Sequence, residues 1–197
     1  MQLPLDPAAV VRVDVDGAWH FDTDESTRAD AAILPGSFNP LHIGHRDLAR
    51  IATSIVGGAV AYEISITNVD KPPLDIAEVH RRLAQFQGLA EVWLTHAPTF
   101  AEKSARFPGA TFIVGADTVL RIVSTRYYAD DERRMIAALE RIAAHGCRFL
   151  VACRADRTGM LLRLNDVPIP IEFQAMFVEI PSEQFRWDIC STDLRMI

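Results

Sequence analysis

Two histidines, His42 and His45, stand three residues apart in the stretch "GSFNPLHIGH", residues 36 to 45. Residues at that spacing become neighbours on one face when they open a helix. A helix N-terminus carries free N–H donors and a partial positive charge. Two imidazole donors added there make a compact anion receptor, in which one phosphate meets both rings and the backbone. Gly44 leaves room between the rings. Gly36, without a Cβ, lets backbone approach a ligand closely. Ser37 and Asn39 contribute polar side chains, and Pro40 stiffens the turn. Three other readings of the pair compete. Zinc would need a further ligand, and none stands nearby at motif spacing. A general base would need a nucleophile beside it, and no such pairing is visible. Both rings could also simply cap the helix.

The elements that must position this pair follow from periodicity. "AAILP" (31–35) is a short buried run and is predicted as a strand. Residues 42–56 have helical spacing, with Ile43, Leu48, Ile51, Ala52 and Ile55 on one face. Strands are predicted at "AVAYEISI", "EVWLTH", "ATFIVG", "RFLVACR" and "MFVEIP". Helices are predicted at "IAEVHRRLAQFQ", "TFAEKSARF", "ADTVLRIV" and "DDERRMIAALERIAAH". The last has acids in its first turn and Gly146 behind it. Residues 157–172 are expected to form a β excursion. This alternation predicts an α/β fold, a Rossmann-like doubly wound parallel sheet with helices on both faces. Ligands of such sheets bind beyond the carboxyl ends of the strands. The loops 36–42, 68–74, 97–98 and 115–117 should therefore meet at one crevice. Ahead of this unit, "AVVRVDVDGAWHFDTD" alternates around Asp16-Gly17, which predicts a hairpin with a type I′ turn. The polar "ESTRAD" sets a boundary near residue 30, dividing an N-terminal β-hairpin extension (1–30) from the α/β domain (31–197).

Composition narrows the function. The chain has 197 residues, 49% hydrophobic and 23% charged, as a globular protein with a sizeable core requires. Its net charge of −6 argues against a nucleic-acid or anionic-membrane surface. A small anionic ligand held by a few donors remains compatible. Of twenty basic residues only Lys71 and Lys103 are lysines. The three cysteines, Cys147, Cys153 and Cys190, form no CxxC pair, and the first two share the parity of one strand, as buried thiols would. No secretory leader or run of about 18 apolar residues is present, so a cytoplasmic protein is expected.

The stretch "GSFNPLHIGH" resembles the first signature of the HxGH nucleotidyltransferase superfamily, most closely that of the nicotinamide or nicotinate mononucleotide adenylyltransferases. "VGADT", with Gly115 and Asp117, resembles the family's glycine-x-aspartate that holds the ATP ribose. "ICSTDLR", Ile189 to Arg195, resembles its triphosphate-binding ISSTxxR. The three elements stand in the family's order across residues 31–197, which marks that span as the nucleotidyltransferase domain. The resemblance implies that His42, His45 and Arg195 are catalytic. It implies nucleotide binding by Gly36, Ser37, Phe38, Asn39, Gly44, Gly115, Asp117, Ser191 and Thr192. The expected partners are ATP and a small phosphorylated acceptor. Magnesium would accompany the ATP, with no ligand from protein side chains. Lys71, Arg81 or Arg82 and, past the third strand of the domain, Thr99 and Lys103 are candidates for the acceptor. Trp93, Tyr127 and Tyr128 are expected to pack.

Three departures qualify the match. Cys190 replaces the first serine of ISST, and a thiol is a weaker donor. Only two residues follow Arg195, so at most one helical turn is expected there. "PTFAEKSARFPGATF" stands where the bacterial nicotinate enzymes surround the pyridine ring, so the chain resembles a cytidylyltransferase-like branch of the superfamily. The expected reaction is adenylyl transfer from ATP to a mononucleotide-like phosphate, with pyrophosphate released. Cytidylyl transfer to a phosphorylated alcohol and nucleotide binding without efficient transfer are the rivals. A homodimer, paired through the exposed edge of the hairpin, is an accompanying expectation.

Overall fold

Each short apolar run of the sequence becomes a strand of one sheet. In the computed structural model, which describes residues 6, 8–22, 28–70, 72–155 and 160–185, six of these strands are parallel. They are β3 (Ala32–Pro35), β4 (Val60–Ser65), β5 (Val92–Thr95), β6 (Thr111–Gly115), β7 (Arg148–Ala152) and β10 (Phe177–Glu179). With β1 (Val10–Val13) and β2 (Trp19–Asp22) they form an eight-stranded sheet in the order β10-β7-β6-β3-β4-β5-β1-β2. The chain steps outward from β3 through β4 to β5. It then crosses back to β6, on the other side of β3, and steps outward through β7 to β10. The order therefore reverses between β3 and β6, and the crevice above that pair is where such sheets bind ligands.

Strands buried on both faces need helices on both, and the chain supplies them. Helices α1 (Ile43–Val56) and α2 (Ile76–Leu83) cover the face that carries Leu34, Tyr62, Ile64 and Leu94. On the opposite face α4 (Ala116–Ile122) and α5 (Glu132–Ala144) pack Val119, Ile122, Met135 and Leu139 against Ile33, Phe112 and Phe149. The connection from β5 to β6 contains α3 (Phe100–Arg106), whose Phe100 ring meets Phe112 and Phe149 edge-on. This is the doubly wound arrangement that the alternation predicts. Trp93 packs in the core, 4% exposed, with its ring edge-on to Phe107.

The N-terminal hairpin continues the sheet. β1 pairs antiparallel with β5, Val11 opposite Leu94 and Val13 opposite Val92, and β2 pairs with β1 at the edge. Its turn differs from the predicted type I′. The Asp14 N–H donates to the Ala18 carbonyl and the Gly17 N–H to the Asp14 carbonyl, both at 3.0 Å, and within Val15–Gly17 positive φ is confined to Gly17, at 86°. That is a type I turn closed by a left-handed glycine bulge. The Asp14 carboxylate selects it by accepting from the amides of Asp16 and Ala18. The β excursion shrinks to β8 (Arg154–Ala155) against β9 (Leu161–Leu162), followed by 3₁₀ turns at Leu164–Asp166 and Ile171–Met176. Cys147 and Cys153 are both buried, and burial pushes the Cys147 thiol up to about 11. Among the described residues no helix is long and apolar enough to cross a membrane.

Candidate active site

The loop from β3 to α1 is built around its own phenylalanine. Phe38 holds φ at 42°, a left-handed conformation that costs on the order of 1 kcal/mol. Its ring is fully buried and meets Tyr62 and Phe86 edge-on at 5.3 and 5.2 Å, which fixes the strained residue in place. A Cβ on Gly36 would lie 2.7 Å from this ring, so the backbone can fold over the phenyl group only at a glycine. Gly36 N–H donates to the Glu63 carbonyl at 2.9 Å, which ties the loop to β4.

Helix α2 holds the loop from the side. The buried Arg82 donates from Nη1 to the Ser37 carbonyl at 2.8 Å. Gln85, one turn on, donates to the Phe38 carbonyl and accepts from the Leu41 amide. Arg81 donates to Asn39 Oδ1 at 2.6 Å while also pairing with Glu78. Ser37 is left exposed at the loop tip. Sequence reasoning assigned Arg81 to an acceptor phosphate. The structure engages it in shaping the loop, together with Arg82, the other arginine considered for that phosphate, and Gln85, which the sequence does not single out.

His42 is the N-cap residue of α1, and His45 lies one turn on. The two rings stack at 3.7 Å between centroids and 26° between planes. The His42 amide donates to His45 Nδ1 at 3.3 Å. That acceptor role places the His45 proton on Nε2, so neutral His45 still offers one N–H donor. The Phe38 edge abuts the His45 ring at 4.9 Å. Burial, followed by the charges of His42 and Arg154, pushes the His45 pKa down to about 3. Burial and Arg154 lower that of His42 as well. Both rings are therefore neutral near pH 7 and present N–H donors without a charge. Gly44, between them in sequence, is buried, but it leaves no gap between the rings, which touch each other directly. The capping role is thus real for His45 Nδ1, and it leaves the opposite edge of the ring available. Among the described residues no three His, Cys, Asp or Glu side chains converge so as to hold a metal ion.

The other wall comes from β6 and β7. Gly115 ends β6, and Asp117 lies in the first turn of α4. A Cβ on Gly115 would fall 2.4 Å from Asp117 Oδ1, so the glycine makes space for that carboxylate. Oδ2 accepts from Arg154 Nη1 at 3.1 Å, whereas Oδ1 has no hydrogen-bond donor among the described residues. Gly115 is level with Ala152 in the β6–β7 ladder, which brings Arg154 abreast of Asp117. The charge of Arg154 also reaches both imidazoles and lowers their pKa values. Nothing in the sequence reading singled it out. The available signal was a charged residue two positions beyond the apolar run 149–152 of a parallel strand.

The acceptor candidates disperse. Lys103 is buried, 5% exposed, and both oxygens of the fully buried Glu63 accept from its Nζ at 2.7 Å. Thr95 donates to the same carboxylate at 2.6 Å. Lys103 thus joins α3 to the ends of β4 and β5. Thr99 caps α3, in a reciprocal pair with Glu102. Tyr128 is half-buried and donates to the Ile122 carbonyl, and the Tyr127 hydroxyl accepts from Arg121. The loop after β4 reaches α4 through an Asp70–Arg121 ion pair. Lys71 and the whole of "ICSTDLR", with Ser191, Thr192 and Arg195, lie outside the described residues.

A doubly wound sheet with two stacked imidazoles at its switch point and an aspartate just past the neighbouring strand is the setting of a nucleotidyltransferase domain. The chain belongs to the cytidylyltransferase-like family, whose profile matches residues 33–197. No curated protein matches the chain.

Proposed function

We propose that this protein transfers an adenylyl group from ATP to the phosphate of a mononucleotide-like acceptor, nicotinamide or nicotinate mononucleotide being the first to test. One observation carries the transfer chemistry: two stacked, neutral imidazoles stand at the start of α1, next to the switch point of the parallel sheet. The choice of adenylyl and of a mononucleotide rests on the likeness of "GSFNPLHIGH", "VGADT" and "ICSTDLR" to the mononucleotide adenylyltransferases. Magnesium would arrive with the triphosphate and supply charge neutralisation there.

In this reading an acceptor phosphate oxygen attacks the α-phosphorus in line. The new P–O bond forms as the bond to the β-phosphate oxygen breaks, and pyrophosphate leaves. No protein nucleophile takes part, so rate comes from positioning and from stabilising charge on the transferring group. His45 donates from Nε2, and His42 donates beside it. Asp117 accepts from ribose hydroxyls, while Ser191, Thr192 and Arg195 hold the far end of the triphosphate. Neutral donors suit this task near pH 7, because they need no proton from solution before they bind.

His42→Ala and His45→Ala are expected to lower turnover by on the order of 10² to 10³ each, the loss typical of one donor to a developing charge. Pyrophosphate release should be measured with ATP and CTP against nicotinamide mononucleotide, nicotinate mononucleotide and a phosphorylated alcohol. Turnover within a few-fold of the parent in both histidine variants would remove their role. Faster release with CTP and the phosphorylated alcohol would replace the adenylyl assignment with a cytidylyl one.

A further inference from the structure

The Arg154–Asp117 ion pair stands where the nucleotide would have to pass. Asp117 is the carboxylate assigned to the ribose, and Arg154, its ion-pair partner, lies close enough to both imidazoles for its charge to lower their pKa values. Both side chains are close to half exposed, 41% and 45%, and a single 3.1 Å contact joins them. A water-screened pair of this kind shifts an equilibrium by at most about fivefold. It is therefore cheap to break. What replaces it is stronger on each side. A triphosphate carries several charges, and a guanidinium matches phosphate oxygens in a two-pronged geometry. A ribose brings hydroxyl donors to a carboxylate whose Oδ1 has none among the described residues.

We propose that Arg154 is a triphosphate-binding residue held in reserve by Asp117, and that the nucleotide exchanges this ion pair for two contacts of its own. The ribose hydroxyls take Asp117, and the guanidinium released from it takes the phosphate chain beside His42 and His45. The inference deepens the nucleotidyl-transfer reading and rests on it. It also explains how a crevice lined by neutral imidazoles attracts a highly charged ligand. The cation is present from the start, but it is neutralised by Asp117 until a ligand supplies both replacements. A nucleoside triphosphate satisfies both residues at once, whereas inorganic polyphosphate satisfies one and strands the other.

Inorganic tripolyphosphate, which has no ribose, separates the two halves in calorimetric titrations. Arg154→Met is expected to weaken its binding about ten- to a hundredfold, the range of one charge-assisted hydrogen bond. Arg154→Lys should fall between, because the charge survives without the fork. Asp117→Asn should tighten tripolyphosphate by up to about fivefold, since it frees the guanidinium. That gain should vanish in the Asp117→Asn, Arg154→Met double variant. With ATP the sign reverses, and Asp117→Asn should weaken binding. Thermal melts of each variant establish that it is folded before titration. Tripolyphosphate affinity within twofold of the parent in both Arg154 variants would make the pair merely structural. So would an Asp117→Asn gain that persists without Arg154. Either result would leave nucleotidyl transfer standing, whereas a parent protein that binds neither tripolyphosphate nor ATP would overturn both readings.

Discussion

Lys103→Met is expected to destabilise the fold severely while leaving the reacting groups in place. Lys103 and Glu63 are 6% and 1% exposed at the side chain, and both carboxylate oxygens accept from Nζ at 2.7 Å. Removing the ammonium leaves Glu63 buried with the Thr95 hydroxyl as its remaining side-chain donor. Breaking a buried pair from one side costs about 3–5 kcal/mol. Domains of this size have about 5–15 kcal/mol of stability in all, and each kcal/mol moves Tm by about 2–4 °C. A fall in Tm of about 6–20 °C follows. The Glu63→Leu, Lys103→Met double variant should recover most of it, because two apolar side chains can replace a buried pair at little net cost. Urea unfolding followed through the buried Trp93 measures both. A loss under about 1 kcal/mol in the single variant would refute the reasoning, as would a double variant no more stable than the single. The double variant also tests the alternative assignment. If it folds well but the KM for the acceptor rises tenfold, Lys103 belongs to the acceptor site after all.

Acid should destabilise the protein through His45. Its folded pKa of about 3 lies below the ordinary value of 6.5. Stability is therefore full above pH 6.5 and falls as the pH drops toward 3, because the unfolded imidazole takes a proton that the folded one refuses. The slope is at most about 1.4 kcal/mol per pH unit. Urea midpoints at pH 7, 5.5 and 4.5 should decline less steeply in His45→Gln, and parallel declines would contradict the assigned burial. Gly115→Ala places a methyl 2.4 Å from Asp117 Oδ1. The carboxylate can swing away, so Tm should change little while nucleotide affinity falls about tenfold, the size of one lost hydrogen bond to a charged group. Unchanged affinity would detach Asp117 from the site.

Much of this molecule can be read from local pattern. The strands β3 to β7 and β10 are short apolar runs, and the helices between them carry apolar stripes and ordinary stop signals. Such features depend on neighbours in sequence. The histidine pair is legible for the same reason, since both rings belong to one helical turn. Most of what the sequence does not show involves partners far apart along the chain, the hairpin turn being a local exception. The turn at Val15–Gly17 was misjudged because the Asp14 carboxylate chooses between two turn types that share the same Asp-Gly. Arg82 looks like a phosphate ligand, and Gln85 like any polar helix residue, until α2 lies against the loop at Ser37–Leu41. Lys103 looks like a free cation until Glu63, forty residues earlier, is found beside it.

The order of alternating elements and the spacing of His42 and His45 determined the α/β class and the placing of both rings at the start of α1, where the proposed anionic ligand would bind. Those follow from periodicity, helix-end donors and ring chemistry, all of which are local. Tertiary structure alone decided which charges face that ligand. Parallel pairing of β6 with β7 sets Arg154 abreast of Asp117, and burial strips both imidazoles of their charge. Coulombic attraction and desolvation depend on distance through space and on contact with water. Neither quantity is written in the order of residues along a chain.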